Sequence, residues 1–122
     1  MLASVQKIKP DAQIEGIVLQ KMAFGKEIII GMKRDVTFGP SIVFGMGGIF
    51  TEALKDTSLR IAPVTKEIAL QMMQEIRGAN ILNGLRGEEP VAFDKLAELI
   101  VAISDLTMSH PEITEIDLNP VM

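Results

Sequence analysis

KEIIIGMKRDVTFGPSIVFGMGGIFTE, residues Lys26 to Glu52, decides the fold of this chain, because it reads as two apolar strands joined by a charged turn and closed by a glycine loop. Glu27 heads the first strand, Ile28, Ile29 and Ile30 form its β-branched body, and Lys33, Arg34 and Asp35 mark where it meets solvent. Gly39 and Pro40 turn the chain, and Ser41 to Phe44 returns toward Gly45-Met46-Gly47-Gly48. Glycines at Gly45, Gly47 and Gly48 leave backbone amides open to close approach by a ligand, although glycines after a strand also serve as plain turn chemistry.

Working outward toward the N-terminus, Ile14 to Met22 reads as a further strand, interrupted at Gly16, with Ala23 to Lys26 as a tight connection into the Glu27 strand. That short link predicts an antiparallel hairpin. Ahead of it, Leu2, Val5 and Ile8 fit the tail of an amphipathic helix with no N-cap, ended by Pro10-Asp11.

Toward the C-terminus, Ile49 to Asp56 is ambiguous between a helical turn and a short strand, with strand preferred. Ser58 to Val64 predicts an edge strand that Pro63 ends, since proline cannot donate to a ladder. Thr65 offers an N-cap oxygen to a helix over 66–77, where Ile68, Ala69, Met72, Met73 and Ile76 share one face. Asn80 to Gly87 is a turn-rich connection. A longer helix follows over 93–109, its stripe formed by Leu96, Leu99, Ile100, Ile103 and Leu106, and His110-Pro111 stops it. A strand over 113–121 completes the chain, as abruptly as the N-terminus begins it. The expected architecture is α/β in the α+β sense: strands 14–23, 26–35, 40–47 and 113–121 in one mostly antiparallel sheet, covered by the two helices, because both apolar stripes need one common surface.

The 122 residues, 48% of them hydrophobic, can bury one core, which predicts a single domain over 1–122. The net charge is −4 and the twelve Lys and Arg are scattered, while the only aromatic residues are five Phe. That argues against a nucleic-acid partner, which would call for a basic stripe and stacking platforms. The absence of cysteine removes disulfides and thiolate chemistry. No apolar run approaches the roughly 20 residues of a membrane span, and no signal peptide is evident. The expectation is a cytoplasmic protein with no membrane partner.

Several side chains carry candidate chemistry. Asp117 and Asn119 lie two apart in the last strand, so their oxygens emerge on one face and could share a hard cation such as magnesium. A solvated strand face gives the same pattern, and that reading also covers Glu115. Glu27, if beside a cleft, could accept ribose hydroxyls. Arg34 suits a phosphate through its planar fork, against the alternative of a charged hairpin turn. Met22 could line an adenine-sized slot, while the other methionines are mostly core. His110 is explained by the helix terminus rather than by catalysis.

Taken together, QKMAFGKEIIIGMKRDVTFGPSIVFGMGGIFTEALKD, LRIAPV, GLRGEEPV and EIDLNPV resemble, in order and in spacing, the ATP-grasp domain of ADP-forming acyl-CoA synthetases, relatives of succinyl-CoA synthetase. The resemblance covers nearly the whole chain. It implies that Gln20, Lys21 and Met22 lie along a hinge strand meeting adenine, that Glu27 holds ribose, and that Gly47, Gly48 and Arg34 lie at the phosphate end of an ATP or ADP site. It also implies that Asn119 is one Mg2+ ligand, with the Asp117 carboxylate nearby. The family's phosphate-binding lysine, its relay histidine and its second metal-binding aspartate have no counterparts here, so no catalytic residue is assigned and the chain reads as the C-terminal half of a module. The implied function is the nucleotide-binding part of an acetyl-CoA or related synthetase, inactive alone. Its partners would be the missing ATP-grasp segments or a CoA-binding α subunit or domain, with a homo-oligomer as a further option. Two alternatives stay open: a noncatalytic truncated domain, and the ATP-grasp segment of a protein lysine acetyltransferase.

Overall fold

Four strands build one antiparallel sheet in the computed structural model, which describes residues 2–48, 56–85 and 87–122. They are β1 (Ile28–Asp35), β2 (Gly39–Met46), β3 (Thr57–Ile61) and β4 (Glu115–Val121), in the spatial order β3-β2-β1-β4. The helices are α1 (Leu2–Ile8), α2 (Lys66–Glu75), the single turn α3 (Ala79–Leu82) and α4 (Phe93–Ser109).

The β1–β2 hairpin runs in unbroken register from Ile28 opposite Met46 to Asp35 opposite Gly39. Its turn is set by local chemistry. The Asp35 carboxylate accepts the N–H of Thr37 (2.7 Å) and Phe38 (2.9 Å), and Gly39 takes a φ of 82° that side-chain-bearing residues rarely adopt. Those two N–H bonds, Phe38 first, hold the Asp35 carboxyl below its ordinary value of 3.8.

Alternation divides the sheet into two faces. Ile28, Ile30 and Met32 of β1 and Ile42, Phe44 and Met46 of β2 are buried in one cluster with Ala69, Met72 and Met73 of α2 and Leu96, Ala97, Ile100 and Ile103 of α4. Thr65 caps α2 by accepting the Ile68 N–H, and α4 is tied to the chain entering α2 by a buried bond, Val64 N–H to Ser104 Oγ at 2.8 Å. The expected helices are thus present on one face of the sheet, with α4 spanning 93–109 as the stripe predicts.

Sheet membership differs from expectation in one strand. Residues 14–23 form neither strand nor helix, and Ile17, Val18, Leu19 and Met22 stay exposed. The reason is that both edges of β1 are already taken, one by β2 and the other by β4, so a hairpin from 14–23 onto 26–35 has no edge to pair with. β3 supplies the fourth strand instead, at the outer edge of β2. The connection over 80–87 contains a helical turn, α3, where only turns were expected. The short strand expected at Ile49 to Asp56 falls, up to residue 55, outside the described residues.

Candidate functional site

Just ahead of β1, Glu27 meets the chain leaving β2. The Gly47 N–H donates to the Glu27 carbonyl at 2.7 Å, continuing the β1–β2 ladder by one step. Gly48 follows with a φ of 62°, and a Cβ there would run into the Glu27 carboxylate. A Cβ on Gly47 would lie 2.9 Å from the Glu27 carbonyl carbon. Both glycines are therefore required by close approach, and Glu27, Gly47 and Gly48 form one corner. The corner opens into a cavity of about 360 Å3, floored by Met46, walled by Ile81 of α3 and completed by Gly25 and Lys26. A second cavity of about 380 Å3 lies on the other side of Gly25 and Lys26, between the ends of β1 and β4 and the first turns of α4; its lining is mainly apolar, including Val91, Leu96 and Leu99.

Lys26 separates the two cavities. Its Nζ donates to the Glu89 carbonyl (3.1 Å) and pairs with the Glu88 carboxylate (3.3 Å), which holds the loop before α4 against the start of β1. Sequence reasoning missed Lys26 because its carbonyl partner, Glu89, is 63 positions away. The one available signal was the doubled acid Glu88-Glu89 in an otherwise turn-like stretch.

The face of the sheet opposite the helices carries Asp117 and Asn119, both exposed. Asp117 sits opposite Gly31 of β1. Between the pairs Ile30–Leu118 and Ile28–Val121 the ladder is irregular, so that Asn119 and Pro120 together span the place of Ile29. That irregularity returns Val121 to the core side while Asn119 stays on the outer face with Asp117. By the same alternation Ile29 and, one step ahead of β1, Glu27 belong to this outer face, with Asp117 four positions further along, opposite Gly31. Asp117 and Asn119 offer two hard oxygens, a partial donor set suited to Mg2+, whose remaining positions water and phosphate oxygens ordinarily fill. Among the described residues no group of three or more His, Cys, Asp and Glu could hold a metal by itself.

The remaining sequence candidates are not brought to this corner. Gln20, Lys21 and Met22 lie in the extended arm before β1, exposed and outside any regular element, with Met22 71% exposed. Arg34 is at the far end of β1, seven positions along the strand from Glu27, and its guanidinium is already engaged. Nη2 donates to the carbonyls of Thr107 (2.6 Å) and His110 (3.3 Å), and Nε to that of Ile113 (3.1 Å). The expectation that it faces phosphate is corrected by this geometry: the fork that suits two phosphate oxygens here closes the C-terminus of α4.

A profile of the ATP-grasp domain matches residues 1–122. The chain is 52% identical over 122 residues to an Archaeoglobus fulgidus acetate–CoA ligase (ADP-forming) I and 48% identical to the β subunit of a Pyrococcus furiosus acetate–CoA ligase (ADP-forming) I. Each match covers 99% of this chain, but 18% of the first relative and 53% of the second. Among solved structures, the dinucleotide-forming acetyl-coenzyme A synthetase 1 of Candidatus Korarchaeum cryptofilum, in complex with coenzyme A, Ca-AMPCP and HgCl+, superposes with a TM-score of 0.86 at 39% identity, over 99% of this chain and 53% of that one. A second structure of the same enzyme, with coenzyme A and Mg-AMPPCP and its phosphohistidine segment pointing towards the nucleotide binding site, gives a TM-score of 0.78 over 83% of this chain and 47% of that one. With the whole length matched by the domain profile and the four-stranded antiparallel sheet shared with these neighbours, the chain belongs to the ATP-grasp domain family.

Proposed function

We propose that residues 1–122 act as one partial ATP-grasp unit, the nucleotide-gripping part of an ADP-forming acyl-CoA synthetase of the acetate class. In that reaction an acid and coenzyme A are joined as a thioester while ATP becomes ADP and phosphate. The observation that carries this reading is the corner itself: the Glu27 carboxylate lies against Gly48, where bare backbone opens onto a cavity. The similar Korarchaeum enzyme, whose structures hold Ca-AMPCP and Mg-AMPPCP, supports a nucleotide as the ligand.

Glu27 accepts ribose hydroxyls, the backbone at Gly47 and Gly48 allows phosphates to approach without a side-chain collision, and Asp117 and Asn119 hold Mg2+. Magnesium, when bound, neutralises phosphate charge. The arm bearing Gln20, Lys21 and Met22 contributes one wall for adenine. Its apolar side chains Val18, Leu19 and Phe24 are 80–95% exposed, and the remaining ATP-grasp segments of a longer synthetase would cover them. The second subunit or domain binds coenzyme A. Cytoplasmic placement accords with this chemistry, and no helix among the described residues is long and apolar enough to cross a membrane.

Backbone amide shifts recorded while ATP is titrated into the chain test the reading. One wall of a two-walled cleft should give weak, fast-exchange binding, with a Kd of about 1 mM. Changes should cluster at Lys21, Met22, Glu27, Gly47 and Gly48, and an assay with ATP, coenzyme A and acetate should show no turnover. A titration that leaves this cluster unmoved would sink the proposal.

A further inference from the structure

We propose that Asp56 is a positioning residue for the corner of Glu27, Gly47 and Gly48, setting the distance between the floor of the cavity and its α3 wall; the part of this that concerns ligand affinity rests on the nucleotide reading above. Asp56 is only 6% exposed, an unusual place for a carboxylate unless its oxygens are fully employed. They are. One carboxylate oxygen accepts the Arg77 N–H and the other the Gly78 N–H, each at 2.6 Å. The Asp56 main-chain carbonyl meanwhile takes the Met46 N–H at 3.4 Å.

One residue therefore joins three pieces of chain. Met46 ends β2 and floors the cavity. Gly78 begins α3, and its carbonyl accepts the Ile81 N–H at 2.8 Å, so whatever fixes Gly78 also fixes the Ile81 wall. The packing at this junction leaves no slack. A Cβ on Gly78 would stand 2.8 Å from Met46 Cγ and 3.0 Å from the Asp56 carboxylate, and a Cβ on Gly45 would stand 2.7 Å from the Asp56 carbonyl oxygen. Capping a single helical turn needs no buried anion from 22 positions away, since a neighbouring serine or asparagine would serve. What the long-range carboxylate adds is a fixed span from β2 to α3, directly beneath the glycine corner. Asp56 does not line the cavity itself and acts on it through Met46 and Gly78.

Asp56→Asn places an NH2 group against one of the two N–H donors, and Gly78→Ala forces the same junction apart without changing charge. Both variants, and Ser104→Ala as a control that removes a core hydrogen bond elsewhere, are compared with the parent chain by amide shifts, first without ligand and then with ATP. The expected result is that Gly47, Gly48 and Ile81 resonances move in both junction variants before any nucleotide is added, and that the folded population binds ATP about fivefold more weakly. Ser104→Ala should lower the unfolding midpoint and change neither. Parent-like corner resonances in a folded Asp56→Asn or Gly78→Ala chain overturn the proposal. Should Asp56→Asn fail to fold, Gly78→Ala alone decides. A parent chain that gives no response to ATP would defeat the nucleotide reading, while the ligand-free resonances would still decide the role of Asp56.

Discussion

The two ends of β1 carry opposite charges in opposite circumstances. At one end Arg34 is half-buried and its guanidinium is spent on the carbonyls of Thr107, His110 and Ile113; at the other, Glu27 is exposed and lies beside bare glycine backbone and a cavity. The contrast separates a charge that closes the fold from a charge that faces a ligand. Arg34 terminates α4 and delivers the chain to β4, and its loss should be felt as stability. Glu27 is held by its main chain, and its loss should be felt as affinity.

The sharpest way to break that contrast is Arg34→Ala. It strips three carbonyls of a charged donor, and urea unfolding should show a loss of about 2–4 kcal/mol, with ATP-induced shifts in the folded population unchanged. Weaker ATP binding at undiminished stability would return Arg34 to the ligand. The mirror substitution, Glu27→Ala, should alter stability by no more than about 0.5 kcal/mol and weaken ATP binding about tenfold. Smaller still is the cation pair: Asp117→Asn or Asn119→Ala should reduce the enhancement of ATP binding by Mg2+ about two- to threefold and leave magnesium-free binding alone, because each substitution alters one of some six ligand positions. The smallest effect is pH-dependent and belongs to the hairpin tip next to Arg34. The Asp35 carboxyl is held low by the N–H groups of Phe38 and Thr37, so its contribution is present above the ordinary value of 3.8 and is lost as pH falls through the depressed folded value. Acid unfolding of Asp35→Asn should accordingly be less steep than that of the parent in this window, and an identical acid profile would remove Asp35 as the cause.

Where periodicity speaks, the sequence was a sufficient guide. Of the expected stripe Leu96, Leu99, Ile100, Ile103 and Leu106, three residues, Leu96, Ile100 and Ile103, are buried on α4, while Leu99 is half-buried and Leu106 exposed; the β-branched run Ile28 to Ile30 sits in β1. Composition alone misled at 14–23, because strand-like residues do not reveal whether a partner edge remains free, and β4, arriving from the far end of the chain, occupies it. Arg34 was misplaced for a related reason: its planar fork fits helix-end carbonyls as well as phosphate, and only tertiary placement chooses between them. Lys26 and Asp56 were invisible since the Glu89 carbonyl that Lys26 reaches is 63 positions distant and the N–H groups on the Asp56 carboxylate are 21 and 22 positions distant. Glu27, Gly47 and Gly48 were legible as candidates, though the resemblance assigned them to ribose and phosphate separately, whereas they meet in one corner.

The pairing of β1 with β4 also sets an order of events in time. The β1–β2 hairpin closes over a turn of three residues, whereas the Arg34–Ile113 bond joins residues 79 positions apart, so the chain entropy of that long loop must be overcome before β4 gains its ladder. β4 should therefore dock after the barrier, and substitutions along it, such as Ile116→Val, should accelerate unfolding while leaving the refolding rate nearly unchanged. On that pathway Asp117 and Asn119 would be the last of the candidate ligands to reach their places, with the corner of Glu27 and Gly47 assembled before the cation pair.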